Sequence, residues 1–135
     1  MSVRESERTE GKLCVIIKAE ELCIYTIRIT HNEKVFPKRY RFSITEKLQM
    51  QTIEILTLLT EANEMYPKTA SEKEERLLLQ KRACAKLRSL QTMIRISKDL
   101  FGLSMDKVKY WSQLATEVRN KTVAWYNADS ERFKL

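Results

Sequence analysis

The sequence predicts an all-α protein, an antiparallel up-down-up-down four-helix bundle. Three observations predict it. Only two glycines and two prolines occur in 135 residues, too few for the turns of a β architecture. Apolar residues recur at three- and four-residue steps through four long stretches. The breaks between these stretches are short, so consecutive helices must lie side by side. The helices are expected at about 10–33, 43–65, 71–101 and 105–128, in a single domain over 1–135.

The first helix carries two apolar rows. Leu13, Ile16, Ile17, Ile24 and Ile27 form one, which reads as the inward face although Glu20 interrupts it. Val15, Leu22 and Ile29, seven apart, form the other, with Tyr25 beside them. A monomer's surface helix needs one stripe only. The second row therefore predicts burial by another subunit, with Val15, Leu22, Tyr25 and Ile29 as interface residues.

Pro37 ends this helix, because it lacks a backbone N–H and pushes Phe36 out of the α region. Residues 35–43 alternate Phe36, Tyr40 and Phe42 with Lys38, Arg39 and Arg41. The pattern predicts aromatics turned inward to plug the bundle and cations turned outward toward phosphate. Ser43 and Glu46 have the spacing of a capping box for the second helix. Its inward row is Ile44, Leu48, Thr52, Ile55, Leu59 and Ala62, widened by Ile53 and Leu56. Pro67 ends it, and Ser71 with Glu74 offers a second capping box.

The third helix presents Leu79, Ala83, Leu87, Leu90, Ile94, Ser97 and Phe101 to the core and ends at Gly102, a left-handed C-cap. Lys81, Arg88 and Arg95 fall nearly opposite, seven apart, flanked by Arg82, Lys86 and Lys98. A further row, Met93, Ile96 and Leu100, is apolar and off the core, and joins the expected subunit interface. Ser104 caps the fourth helix, with Asp106 in its first turn. Val108, Trp111, Ala115, Val118, Thr122 and Trp125 form its seam, with the tryptophans as core anchors. Residues 129–135 read as a loose tail.

Composition narrows function. Apolar residues are 43% and charged residues 32%, too apolar for disorder and too charged for a membrane span. Residues 1–10 mix Arg4 and Arg8 with Glu5, Glu7 and Glu10, unlike a signal peptide. Cys14, Cys23 and Cys84 form no Cys-x-x-Cys pair and read as reduced thiols of a cytoplasmic protein. With His31 the only histidine, no catalytic set, metal site or cofactor is expected. A net charge of +7 favours an anionic partner. Candidate nucleic-acid contacts are Lys38, Arg39, Arg41, Lys81, Arg82, Lys86, Arg88, Arg95 and Lys98.

The long first helix, the Phe36-Pro37-Lys38 joint, the second helix and Trp125 near the C-terminus resemble one bacterial four-helix-bundle group. It includes the accessory variability determinant of diversity-generating retroelements and proteins encoded by intervening sequences in large-subunit ribosomal RNA genes. Residues 36–63 are more similar to the retroelement branch. That resemblance implies a basic, barrel-like homopentamer that associates with the element's reverse transcriptase and with RNA or DNA, and supports mutagenic cDNA synthesis. The alternative is a protein-interaction module of the intervening-sequence branch with no specific nucleic-acid role. Membrane association ranks last, because no helix pairs a strong apolar face with a purely basic one.

Overall fold

The computed structural model describes residues 5–134, with side chains from residue 14 onward. It contains four α-helices and, among the described residues, no strand: α1 Glu5–His31, α2 Glu46–Glu64, α3 Ala70–Phe101 and α4 Met105–Arg132. Each helix packs on two others, α1 and α3 both lying against α2 and α4. Leu48, Ile55, Leu59, Ala83, Leu87, Leu90, Ile94, Trp111, Ala115 and Val118 are wholly buried between them. Each such Leu or Ile side chain contributes roughly 1.5–3 kcal/mol by leaving water.

Helix α1 is turned the other way from the sequence reading. Val15, Leu22 and Ile29 lie in the chain's own core at 3%, 1% and 8% exposure. Ile17, Ile24 and Ile27 face solvent at 44%, 49% and 40%. Val15, Leu22 and Ile29 are therefore not an outer row awaiting a second subunit. Tyr25 is half-buried, its ring set edge-on to Tyr110 at 4.8 Å. The reason lies in the small and polar residues that share the inward row. The Trp111 indole N–H donates to Thr26 Oγ1 at 2.9 Å, and Gln49 Nε2 donates to Thr30 Oγ1 at 2.9 Å. Thr30 also donates to the Thr26 carbonyl at 2.7 Å within α1, whereas Thr26 Oγ1 and the Trp111 indole are both buried and costly to leave unpaired, so that bond favours this rotation of α1 where two similar apolar rows do not. Leu13 lies outside the residues whose side chains are described.

The connection from α1 to α2 is itself helical. A 3₁₀ turn at Lys38–Tyr40 runs into a π-helical turn at Arg41–Thr45 and then α2. Helix α2 therefore has no free N-terminus to cap, and the Glu46 N–H already meets the Arg41 carbonyl. Ser43 does not form the expected box; its Oγ donates to the Tyr40 carbonyl at 3.5 Å. The box before α3 is displaced by two residues. The Glu72 N–H donates to Thr69 Oγ1 at 3.2 Å, and the Thr69 N–H donates to the Glu72 carboxylate at 3.2 Å. Two caps agree with the sequence: Gly102, ending α3, takes the left-handed conformation at φ 60°, and Ser104, starting α4, accepts at Oγ from the Lys107 N–H at 3.4 Å.

Of the residues expected in a loose tail, 129–132 belong to α4, and Leu135 lies outside the described residues. Helix α4 continues to Arg132, and Asp129 is buried. Its Oδ2 accepts from Arg76 Nε and from Gln80 Nε2, both at 2.8 Å, and its Oδ1 accepts from Arg132 at 2.8 Å. Arg76 also donates to the Met65 carbonyl at 2.8 Å, tying the α2–α3 connection into the same cluster.

Candidate nucleic-acid interface

Helix α3 holds the cations because its opposite face is fully committed to the core. Ala83, Leu87, Leu90 and Ile94 are wholly buried, which turns Lys81, Arg88 and Arg95 outward. All three are exposed, and none meets a carboxylate within salt-bridge distance among the described residues. Arg95 instead donates to Thr92 Oγ1 at 3.1 Å, a neutral partner that leaves its charge uncompensated. Seven residues of helix span about 10.5 Å, so the three cations mark out a line of roughly 21 Å.

The other predicted cations behave differently. Arg82 is exposed and Lys98 half-buried, also without a carboxylate partner among the described residues. Lys86 is paired across helices with Glu54 at 2.6 Å, which weakens its claim as a phosphate ligand. At the joint, Lys38 and Arg39 are exposed, with Arg39 over the Tyr40 ring at 5.4 Å, while Arg41 lies 3.7 Å from the Glu33 carboxylate.

The joint's aromatics divide. Phe36 is 2% exposed and meets Phe101 edge-on at 5.1 Å and Trp111 at 6.1 Å. Tyr40 is half-buried and meets Phe101 at 5.0 Å. These contacts seat the joint against the C-terminal end of α3, where Arg95 and Lys98 are the last cations. Phe42, expected inward, is 75% exposed, because the π turn rotates it away from the core.

Sequence reasoning missed the contribution of α4. Arg119, Val123 and Tyr126 share the α4 face that borders the α3 cations. Lys81 Nζ stands 5.7 Å from the Tyr126 ring centre. Burial pushes the Cys84 thiol above its ordinary range, and the nearby charges of Arg88 and Arg119 oppose that rise. Arg119 lies one helical turn from Val123, which faces Lys81 and Arg88, and so extends the positive seam onto α4. The signal was present as a three-and-four spacing off the α4 core row, but only packing says which neighbour that face meets.

The apolar outer row of α3 is partly as expected. Ile96 and Leu100 are 41% and 55% exposed, whereas Met93 is half-buried against the core. Leu78 joins them at 46%. No helix among the described residues is long and apolar enough to cross a membrane. No protein-family model matches the chain, and no curated protein or solved structure is significantly similar to it.

Proposed function

We propose that this chain is a non-enzymatic accessory protein that binds RNA or DNA through the positive seam of α3. Following the resemblance of its joint and helices, it serves a reverse transcriptase of a diversity-generating retroelement and supports mutagenic reverse transcription. One observation carries the nucleic-acid part: Lys81, Arg88 and Arg95 are exposed in a straight line with no acidic partner among the described residues. A carboxylate at i,i+3 or i,i+4 can compensate a surface cation, as Glu21 does for Lys18 at 3.2 Å, and none meets this line among the described residues. A line left unpaired is suited to a polyanion. The reduced cysteines support a cytoplasmic setting.

The same reading takes the helices as an antiparallel up-down-up-down bundle. Supporting it, partner numbers fall on one helix as they rise on the next: Gln51 with Ser89, Glu54 with Lys86, then Gln91 with Thr116 and Gln80 with Asp129. It also takes the chain as a homo-oligomer, pentameric by the resemblance, since Ile17, Ile24, Ile27, Ile53, Ile96 and Leu100 are all at least 40% exposed. Sedimentation at low micromolar concentration tests that part, and a clean monomer sinks it.

Filter retention of a structured RNA at about 50 mM salt tests the binding itself. The triple variant K81E/R88E/R95E is expected to weaken retention across sequences. It should also flatten the slope of log affinity against log salt by about 0.7–0.9 for each phosphate that the protein no longer neutralises. Wild-type affinity in the triple variant would place binding elsewhere. No retention by the wild type would favour the second reading, a protein-interaction module, which the exposed isoleucines also support.

A further inference from the structure

A groove of about 340 Å³ opens between α3 and α4, lined by Lys81, Cys84, Ala85, Arg88, Val123 and Tyr126. Its floor is apolar: Cys84 is half-buried, Val123 and Ala85 offer methyl groups, and Tyr126 offers a ring. Its two ends are cationic. Lys81 stands at one, its ammonium over the Tyr126 ring at 5.7 Å from the centre, and Arg88 stands about 10.5 Å farther along α3. Arg119 adds positive charge from the α4 side, close enough to act on the Cys84 thiol. The order along the groove is therefore a cation seated over the Tyr126 ring, an apolar floor of Cys84, Ala85 and Val123, and a second cation.

From this order we infer that the groove is a base slot for single-stranded nucleic acid: one unstacked base displaces the exposed Lys81 side chain from the face of Tyr126, and its flanking phosphates meet Lys81 and Arg88. The inference rests on the nucleic-acid reading above and sharpens it. In a polynucleotide a phosphate stands on either side of every base, so anion, flat body and anion occur at each position. An acidic peptide meets the same order only where its sequence alternates acidic and flat side chains. A duplex keeps its bases stacked inside and can offer the groove only phosphate. The seam as a whole would hold either form, whereas the groove distinguishes them.

Fluorescence anisotropy with a labelled strand of about twelve nucleotides, alone and as a duplex, tests this. Tyr126→Leu keeps the apolar volume and removes the π face. It is expected to lose roughly 5- to 150-fold in single-strand affinity while duplex affinity changes less than about twofold. Lys81→Glu should weaken both forms. Tyr126→Trp should retain single-strand binding, and its emission, after subtraction of the wild-type spectrum, should be quenched by the single strand and not by the duplex. Thermal melts of each variant separate weaker binding from impaired folding, and the tryptophan variant reports on the groove independently of Tyr126→Leu.

Wild-type single-strand affinity in folded Tyr126→Leu, with Lys81→Glu still weakened, overturns the slot and leaves the nucleic-acid reading standing. Failure of the wild type to bind either form at about 50 mM salt overturns both. A Tyr126→Trp signal that responds to an acidic peptide and not to the strand overturns the slot in favour of a protein partner.

Discussion

The two ends of the bundle are closed by opposite means. At one end Phe36, Tyr40, Phe101 and Trp111 meet edge to face, with ring centres 5.0–6.1 Å apart. At the other Arg76 and Asp129 form an ion pair at 2.8 Å with side chains 1% and 3% exposed, between Gln80 and the rings of Trp125 and Phe133. The aromatic end gains stability in proportion to buried area and edge-to-face contact, and tolerates partial loss. The ionic end is stable only as a set. Desolvating two charges costs several kcal/mol each, and their attraction offsets this only while both remain. The contrast shows that a bundle end can be closed by either chemistry, although the ionic one leaves Arg76 Nη2, Gln80 Oε1 and Trp125 Nε1 buried without a hydrogen-bond partner among the described residues.

The largest effect expected from breaking that contrast is at the ionic end. Asp129→Ala leaves Arg76 buried without its acid and should destabilise by about 3–5 kcal/mol, measured by urea unfolding. Replacing the pair together, as Arg76→Met with Asp129→Leu, should recover most of the loss. If the double variant is no better than Asp129→Ala, the charges themselves and not their mutual satisfaction hold that end. At the aromatic end Phe36→Ala should cost about 3 kcal/mol through reduced burial and a residual cavity. A cost below about 1 kcal/mol would mean the end collapses freely and the joint is not anchored there.

Smaller effects lie where the ionic end meets α3. Thr69→Ala removes a cap and should cost about 1 kcal/mol. The hydrogen bonds from Thr69 hold the Glu72 carboxyl below its ordinary value of 4.5. A depressed folded value means the cap's contribution is complete above pH 4.5 and fades as pH falls through the lower folded value. The gap between wild type and Thr69→Ala should therefore narrow on acidification. A gap that stays constant into strong acid would show that the carboxylate takes no part in the cap.

Helix α1 shows where the chain alone was readable and where it was not. That a helix runs there was plain from three- and four-residue spacing. Which side faces inward was not, because Ile17, Ile24 and Ile27 are as apolar as Val15, Leu22 and Ile29. The hydrogen bond from Trp111, 85 positions away from its threonine partner, favours the side observed. On α3 and α4 the longest apolar row is the inward one, with Met93 joining it from the shorter outer row of α3. The cation line of α3 was legible for the same reason, as the complement of an unambiguous core. Its α4 half was not, since Arg119 and Tyr126 are ordinary surface residues until α4 is set beside α3.

From the chain alone follow four helices, their approximate limits, the C-cap at Gly102 and the N-cap at Ser104, and the inward rows of α2, α3 and α4, apart from Ile53, which is 40% exposed. These depend on spacing, propensity and capping, which act between residues close in sequence. Contacts between distant residues settled the rest: the rotation of α1, the helical joint that exposes Phe42, the ion pair that draws Asp129 into the core, and the groove on Tyr126. Burial of a polar group is least costly where a partner waits, and the partner's position is a property of the assembled bundle.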